Sequence, residues 1–160
     1  MQEIRQACEL AQQLSAALDD AISNARDLGA PMARLEAQSL FVAAARRNEC
    51  NAVVAGLVGE LGEAVRKIAG ALGWKELTIA GLKSELPEEG SRLEELLGEV
   101  RRRASTLHQI DDTNRARGTR ALAWMRILIA GHTGNSTTTA YDRRGGLKTI
   151  PAVSTATRTL

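Results

Sequence analysis

Any chemistry in this chain would have to come from His108 and His132, Cys8 and Cys50, the adjacent acids Asp111 and Asp112, and the loop-like stretch Gly131-His132-Thr133-Gly134-Asn135-Ser136-Thr137. The histidines stand 24 positions apart, and no cluster of carboxylates or cysteines joins either at metal-ligand spacing, so no metal site is expected. The cysteines fall in separate helical patterns without a Cys-x-x-Cys pair and read as small buried or half-buried side chains in a reducing compartment. Catalytic carboxylates need a pocket that shifts their pKa values, so Asp111 and Asp112, standing together on one helical stretch, read as a solvated face. The Gly131 to Thr137 stretch is like a phosphate loop in composition only: it lacks the lysine, and it follows a helix instead of leading into one from a strand. No catalytic residue and no cofactor is expected.

With chemistry set aside, the informative feature is a periodic one. Counting in sevens from Leu93 gives Leu93, Val100, Leu107, Asn114, Ala121 and Leu128, nearly all apolar, as the seam of a coiled coil requires. The companion row three positions later holds Leu96, Arg103, Ile110, Arg117, Trp124 and Gly131. No proline interrupts Ser91 to Ala130, which predicts one helix on the order of 60 Å long at 1.5 Å per residue. Asn114 is the polar member of the apolar row, where a buried amide fixes register and partner at some expense of stability, unless the helices have parted and it meets water. Trp124, Met125, Leu128 and Ile129 form an apolar end, which is either packed in the core or exposed for a partner.

Earlier segments supply the packing partners. Ile4, Ala7, Leu10, Ala11, Leu14, Leu18, Ala21, Ile22, Ala25 and Leu28 recur at three and four, predicting a first helix over 2–28 with a shallow, alanine-rich stripe. Gly29 and Pro31 then separate it from a second helix over 31–72. Gly56, Gly59, Gly62 and Gly70 interrupt the strongest part of the second helix's apolar period, and read either as sites of close packing or as marks of a softer helix. Gly73 stops it, Trp74 reads as a cap on the end of the bundle, and a short helix over 77–84 precedes Pro87. Pro87, Glu88, Glu89 and Ser91 are start signals for the last helix, over 91–130. From His132 the Gly, Ser, Thr and Asn content predicts a flexible tail to 160.

Composition agrees with a helical chain. The only aromatic residues are Phe41, Trp74, Trp124 and Tyr141. The expected fold is therefore all-α: an elongated antiparallel helical bundle or coiled coil of three long helices plus a short connector helix, residues 1–131, ending in the flexible tail. No stretch of eighteen apolar residues and no charged leader before an apolar run is seen, so neither membrane insertion nor a signal peptide is expected. Residues 1–100 hold ten Lys/Arg against sixteen Asp/Glu, and residues 101–160 hold eleven against three. That asymmetry admits a basic-tailed nucleic-acid-binding or scaffolding coiled coil as an alternative class. Arg115, Arg117, Arg120 and Arg126 could track phosphates, but no stacking aromatics are interleaved with them, and nucleic acid is not expected as a partner.

Two stretches resemble the FlgN-type flagellar export chaperones of bacteria. One is Leu107, Gln109, Ile110 and Asn114 followed by an arginine-rich, apolar-striped helix to Leu128; the other is the polar linker leading to Ala140-Tyr141-Asp142-Arg143-Arg144-Gly145, similar to the element at which that family's flexible tails begin. The order of long helices, short helix and final long helix is also similar. The resemblance implies a non-enzymatic, cytoplasmic escort that holds the C-terminal segments of hook-filament junction (hook-associated) proteins and delivers them to the export gate. On that reading Leu107, Ile110, Asn114, Ala121, Trp124, Met125 and Leu128 bind the client, and Tyr141, Asp142 and Gly145 dock on the cytoplasmic domain of the gate. Monomer and homodimer both remain open.

Overall fold

A computed structural model describes residues 2–34, 36–133, 137–141 and 147–151, with side chains described as far as Ile129. The chain is predominantly α-helical, as its composition suggests. It divides into two compact units, residues 1–114 and 115–160.

In the first unit α1, Gln2–Asp27, is the element the others cover. Ile4, Ala7, Leu10, Ala11, Leu14, Leu18, Ala21 and Ala25 are all buried, a stripe wide enough to take neighbours on two sides. Its alanines keep it shallow, which lets helices approach closely. Ser15 and Asn24 are buried in the same stripe, and their Oγ and Oδ1 have no hydrogen-bond partner among the described residues.

The reversal after α1 takes two steps where the sequence predicts one. The expected helix over 31–72 is divided into α2, Gly29–Arg34, and α3, Ala37–Ala71. Glu36 breaks it with φ −77° and ψ 88°, outside the helical region. Its N–H donates to the Pro31 carbonyl at 3.1 Å, and its own carbonyl accepts from Leu40 N–H at 2.9 Å. α2 touches both α1 and α3, so the short helix fills the corner between them. No glycine or proline stands at Glu36 to mark the break.

α3 ends as expected. Gly73 takes φ +71°, its N–H donates to the Gly70 carbonyl at 3.1 Å, and Trp74 N–H donates to the Ala69 carbonyl at 2.8 Å. This is the paired C-terminal closure in which only glycine is unstrained. Trp74 then packs half-buried against the core. α4, Ile79–Glu85, is opened by Thr78, whose Oγ1 accepts from Gly81 N–H at 3.1 Å, and it contributes the fully buried Leu82.

α5, Pro87–Thr133, begins four residues earlier than predicted, with Pro87 in the first helical position and Glu88 and Glu89 in the first turn. Gly90 is where α4 meets it: a Cβ there would lie 2.7 Å from the Lys83 backbone N. The glycines of α3 behave differently. A Cβ at Gly56, Gly59, Gly62 or Gly70 would meet nothing within 4 Å, which overturns the close-packing reading and leaves only the cost to helix propensity.

Contacts give the helix directions. Asp19 of α1 meets Arg103 of α5, and Ala25 meets Asn114, so the two helices run the same way. Arg47 near the start of α3 meets Ala21 late in α1, so α3 runs against them.

The second unit contains the end of α5 and two strands, β1 at Thr137–Tyr141 and β2 at Leu147–Pro151. They pair antiparallel, with Thr137 opposite Pro151 and Tyr141 opposite Leu147. A flexible tail is expected there from polarity alone. The stretches that pair carry Thr137, Thr138, Thr139, Thr149 and Ile150, β-branched residues that suit a strand whether or not they are apolar.

Candidate docking surface

Leu93 is fully buried, and Val100 and Leu107 pack half-buried against the core of the first unit with Leu96 and Leu97 beside them. In the companion row Arg103 occupies an apolar position, and it is held there by ions. Its Nε donates to the Asp19 carboxylate at 2.9 Å and its Nη1 to Glu99 at 3.1 Å, and the hydrogen bond to Asp19 raises the guanidinium pKa further. Glu99 and Arg103 are the pair at spacing four that the sequence shows.

Asn114 is only 5% exposed, and its Nδ2 donates to the Ala25 carbonyl at 2.6 Å. Of its two readings, the buried amide is the one realised: it acts as a register mark between α5 and α1. One turn earlier, Asp111 pairs with the Arg47 side chain, whose Nη1 also donates to the Ala21 carbonyl at 3.1 Å. The last turns of α1 are thus fastened to α3 and to α5 by side-chain donors, where helix-end carbonyls most need them. Asp111 is a structural anion and not part of a solvated pair. Asp112 is exposed and sits 3.4 Å from His108 Nε2 on the same helix face.

The residues expected to bind a client therefore fall into two groups. Leu107 packs half-buried against the core of the first unit, and Asn114 is buried there with its amide on α1. Ile110 and Ala121 are half-buried. Trp124 is 64% exposed, Leu128 63% and Met125 39%. Leu122, Ile127 and Ile129 are exposed as well. The sequence row of sevens passes over Leu122 and Ile127, since neither lies on it, although together the six make an unusually apolar run for an exposed surface.

Arg115, Arg117 and Arg120 precede this run on the same helix, and no ion-pair partner for them occurs among the described residues. No Asp or Glu occurs in the sequence between Asp112 and Asp142. Tyr141, the last residue of β1, pairs with Leu147, while Asp142 and Gly145 lie outside the described residues.

Elsewhere in the first unit, a cleft of about 450 Å³ lies between the starts of α1 and α5, lined by Ile4, Cys8, Glu9, Glu88, Glu89 and Arg92. Burial pushes the Cys8 thiol pKa up, with Arg92 opposing and Glu9 reinforcing the shift, so the thiol stays neutral and unreactive. Among the described residues no group of three or more His, Cys, Asp or Glu converges as a metal site would require, and no helix is long and apolar enough to cross a membrane. Comparisons with protein-family models, with curated proteins and with solved structures find no match for this chain.

Proposed function

We propose that this protein is a non-enzymatic escort of the FlgN type, a cytoplasmic chaperone that binds the C-terminal segments of hook-associated flagellar proteins and delivers them to the export gate. The observation that carries the reading is the exposed apolar run Leu122, Trp124, Met125, Ile127, Leu128 and Ile129 at the end of α5. An amphipathic client segment lays its apolar face on such a helix, the helix-in-groove mode of recognition. Burying four or five large side chains contributes about 1.5 to 3 kcal/mol each before ordering costs are subtracted, which gives useful but reversible affinity. An escort must release what it carries.

The bundle reading belongs to the same proposal: three long helices, with α4 as connector. Tyr141, at the end of β1, is the proposed contact with the cytoplasmic domain of the gate, its ring burying one face while the hydroxyl keeps a hydrogen bond.

Calorimetry with the C-terminal peptide of a hook-associated protein tests the reading. Trp124→Ala with Leu128→Ala should weaken binding by about tenfold or more, as loss of central apolar anchors does, while far-UV circular dichroism stays unchanged. Full-affinity binding by the double variant would reject this surface. A steep loss of binding to arbitrary DNA with added salt would favour the nucleic-acid alternative instead.

A further inference from the structure

We infer that the segment received by the end of α5 is an acidic amphipathic helix, one whose apolar face is bordered by glutamate or aspartate. The inference rests on the docking reading above and adds the chemistry of the partner.

The argument begins with where side chains fall around the helix. At 3.6 residues per turn, Trp124, Leu128, Met125, Ile129 and Leu122 succeed one another over an arc of about 160°. Arg120 stands at one margin of that arc and Arg115 at the other, while Arg117 falls inside it, two to three turns before Leu128. All three arginines are exposed and have no ion-pair partner among the described residues. A partner helix lying along the arc would therefore find apolar side chains in the middle and unpaired guanidinium groups at its edges. Guanidinium forks match carboxylates in a bidentate geometry, so acids at the flanks of the partner's apolar stripe complete both kinds of contact.

Two other occupants fit less well. A second copy of this chain would set Arg115, Arg117 and Arg120 against the same arginines, since the stretch from Thr113 to Tyr141 contains no acid to receive them. An anionic membrane surface would attract the charge, but a helix lying at a lipid boundary needs a strongly polar back face. Here the back carries Ala116, Thr119 and Ala123 with Arg126 as the one charged residue among them, and Ile127 lies beyond the Arg120 margin. A helix with a wide apolar arc and so weakly polar a back is one to be enclosed by protein. From Arg115 to Ile129 the surface is roughly 21 Å long at 1.5 Å per residue, which sets the partner helix at about fifteen residues.

Charge complementarity of this kind acts on specificity and encounter rate more than on raw affinity, so the sign of the flanking charge is what an experiment should vary. Two synthetic helical peptides of that length, identical in their leucine and isoleucine face, would carry glutamate or glutamine at the flanking positions. Calorimetry with the full chain should show the glutamate peptide binding about tenfold tighter at low salt, with the preference shrinking as salt shortens the screening length. Arg115→Glu with Arg117→Glu and Arg120→Glu should transfer the preference to a lysine-flanked peptide, an inversion that loss of fold cannot produce. Equal affinity for the glutamate and glutamine peptides, with both weakened by Trp124→Ala and Leu128→Ala, would overturn the acidic partner and leave the docking surface standing. Failure of every peptide to bind would remove the docking surface too. Binding to phosphatidylglycerol vesicles that is lost in the triple variant, without any preference among peptides, would assign the arginines to lipid headgroups and overturn the inference.

Discussion

Leu93 and Leu128 occupy the same row of α5, five heptads apart, yet the first is fully buried and the second is 63% exposed. Between them the row changes character at Asn114, the last of its members that is buried. Nothing in the repeat distinguishes the two stretches, because a hydrophobic period records which side chains share a face and says nothing of whether that face is covered. Cover is supplied by other segments. Up to Asn114 it comes from α1 within the first unit; beyond it Ala121 is half-buried and Leu128 exposed.

The largest effect that could break this comparison is the cost of truncating each leucine. Leu93→Ala should destabilise the fold by about 2 to 5 kcal/mol, as a buried leucine in a packed core does, while Leu128→Ala should stay within about 0.5 kcal/mol. Urea denaturation followed by circular dichroism measures both. Equal losses would mean that the end of α5 is covered after all.

A smaller effect is expected where the two stretches meet. Asn114→Ala strands the Ala25 carbonyl and should cost about 1 to 3 kcal/mol, the penalty for an unsatisfied buried acceptor. Arg120→Gln, two turns on and exposed, should change stability by less than about 0.5 kcal/mol. If Asn114→Ala were neutral, the register mark would have no energetic content.

Glycines sharpen the same contrast between covered and uncovered backbone. Gly90→Ala must displace Lys83 backbone atoms and should destabilise by about 1 to 3 kcal/mol, whereas Gly56→Ala, which meets nothing, should stabilise α3 by about 0.5 to 1 kcal/mol. Opposite signs in thermal melts are the expected outcome. A stabilising Gly90→Ala would show that α4 is free to move aside.

The smallest effect concerns Cys8 on the covered face of α1. Its folded-state pKa is raised by burial, so the neutral thiol is favoured and its contribution to stability is present at neutral pH and lost as pH rises through the folded value. Stability should therefore decline above the ordinary thiol range, and Cys8→Ala should remove that part of the decline. An unchanged pH profile in Cys8→Ala would show that the thiol is not held neutral by the fold.

Much of the fold was legible because local signals and packing agree. The α1 stripe, the Gly73 stop and the Pro87 start each combine a pattern with a backbone requirement. The break at Glu36 was not legible, since Arg34 and Ala37 favour helix continuation. Arg47 likewise gives no sign in the sequence that it will join Asp111 across 64 residues. Gly90 gives no sign in the sequence of its close approach to the Lys83 backbone, because the start signals around it are stronger. The β1–β2 pair is obscured because threonine is polar, which suggests a solvated tail, and β-branched, which suits a strand. In the docking surface, Trp124 and Leu128 were legible from the two heptad rows, while Leu122 and Ile127 lie off them and emerge only from their exposure in the folded chain.

The parallel course of α1 and α5 has a consequence for how the chain is made. α1 leaves the ribosome first, but Asp19 and Ala25 find Arg103 and Asn114 only 84 and 89 residues later. At a synthesis rate of about 5 to 20 residues per second, α1 waits on the order of 5 to 20 seconds with one side of its stripe open. Contacts so distant in sequence also make closure slow compared with a hairpin of neighbouring helices. The alanines of that stripe, which leave little apolar surface per turn, suit a helix that must remain half-dressed in water while the remainder of its protein is still being written.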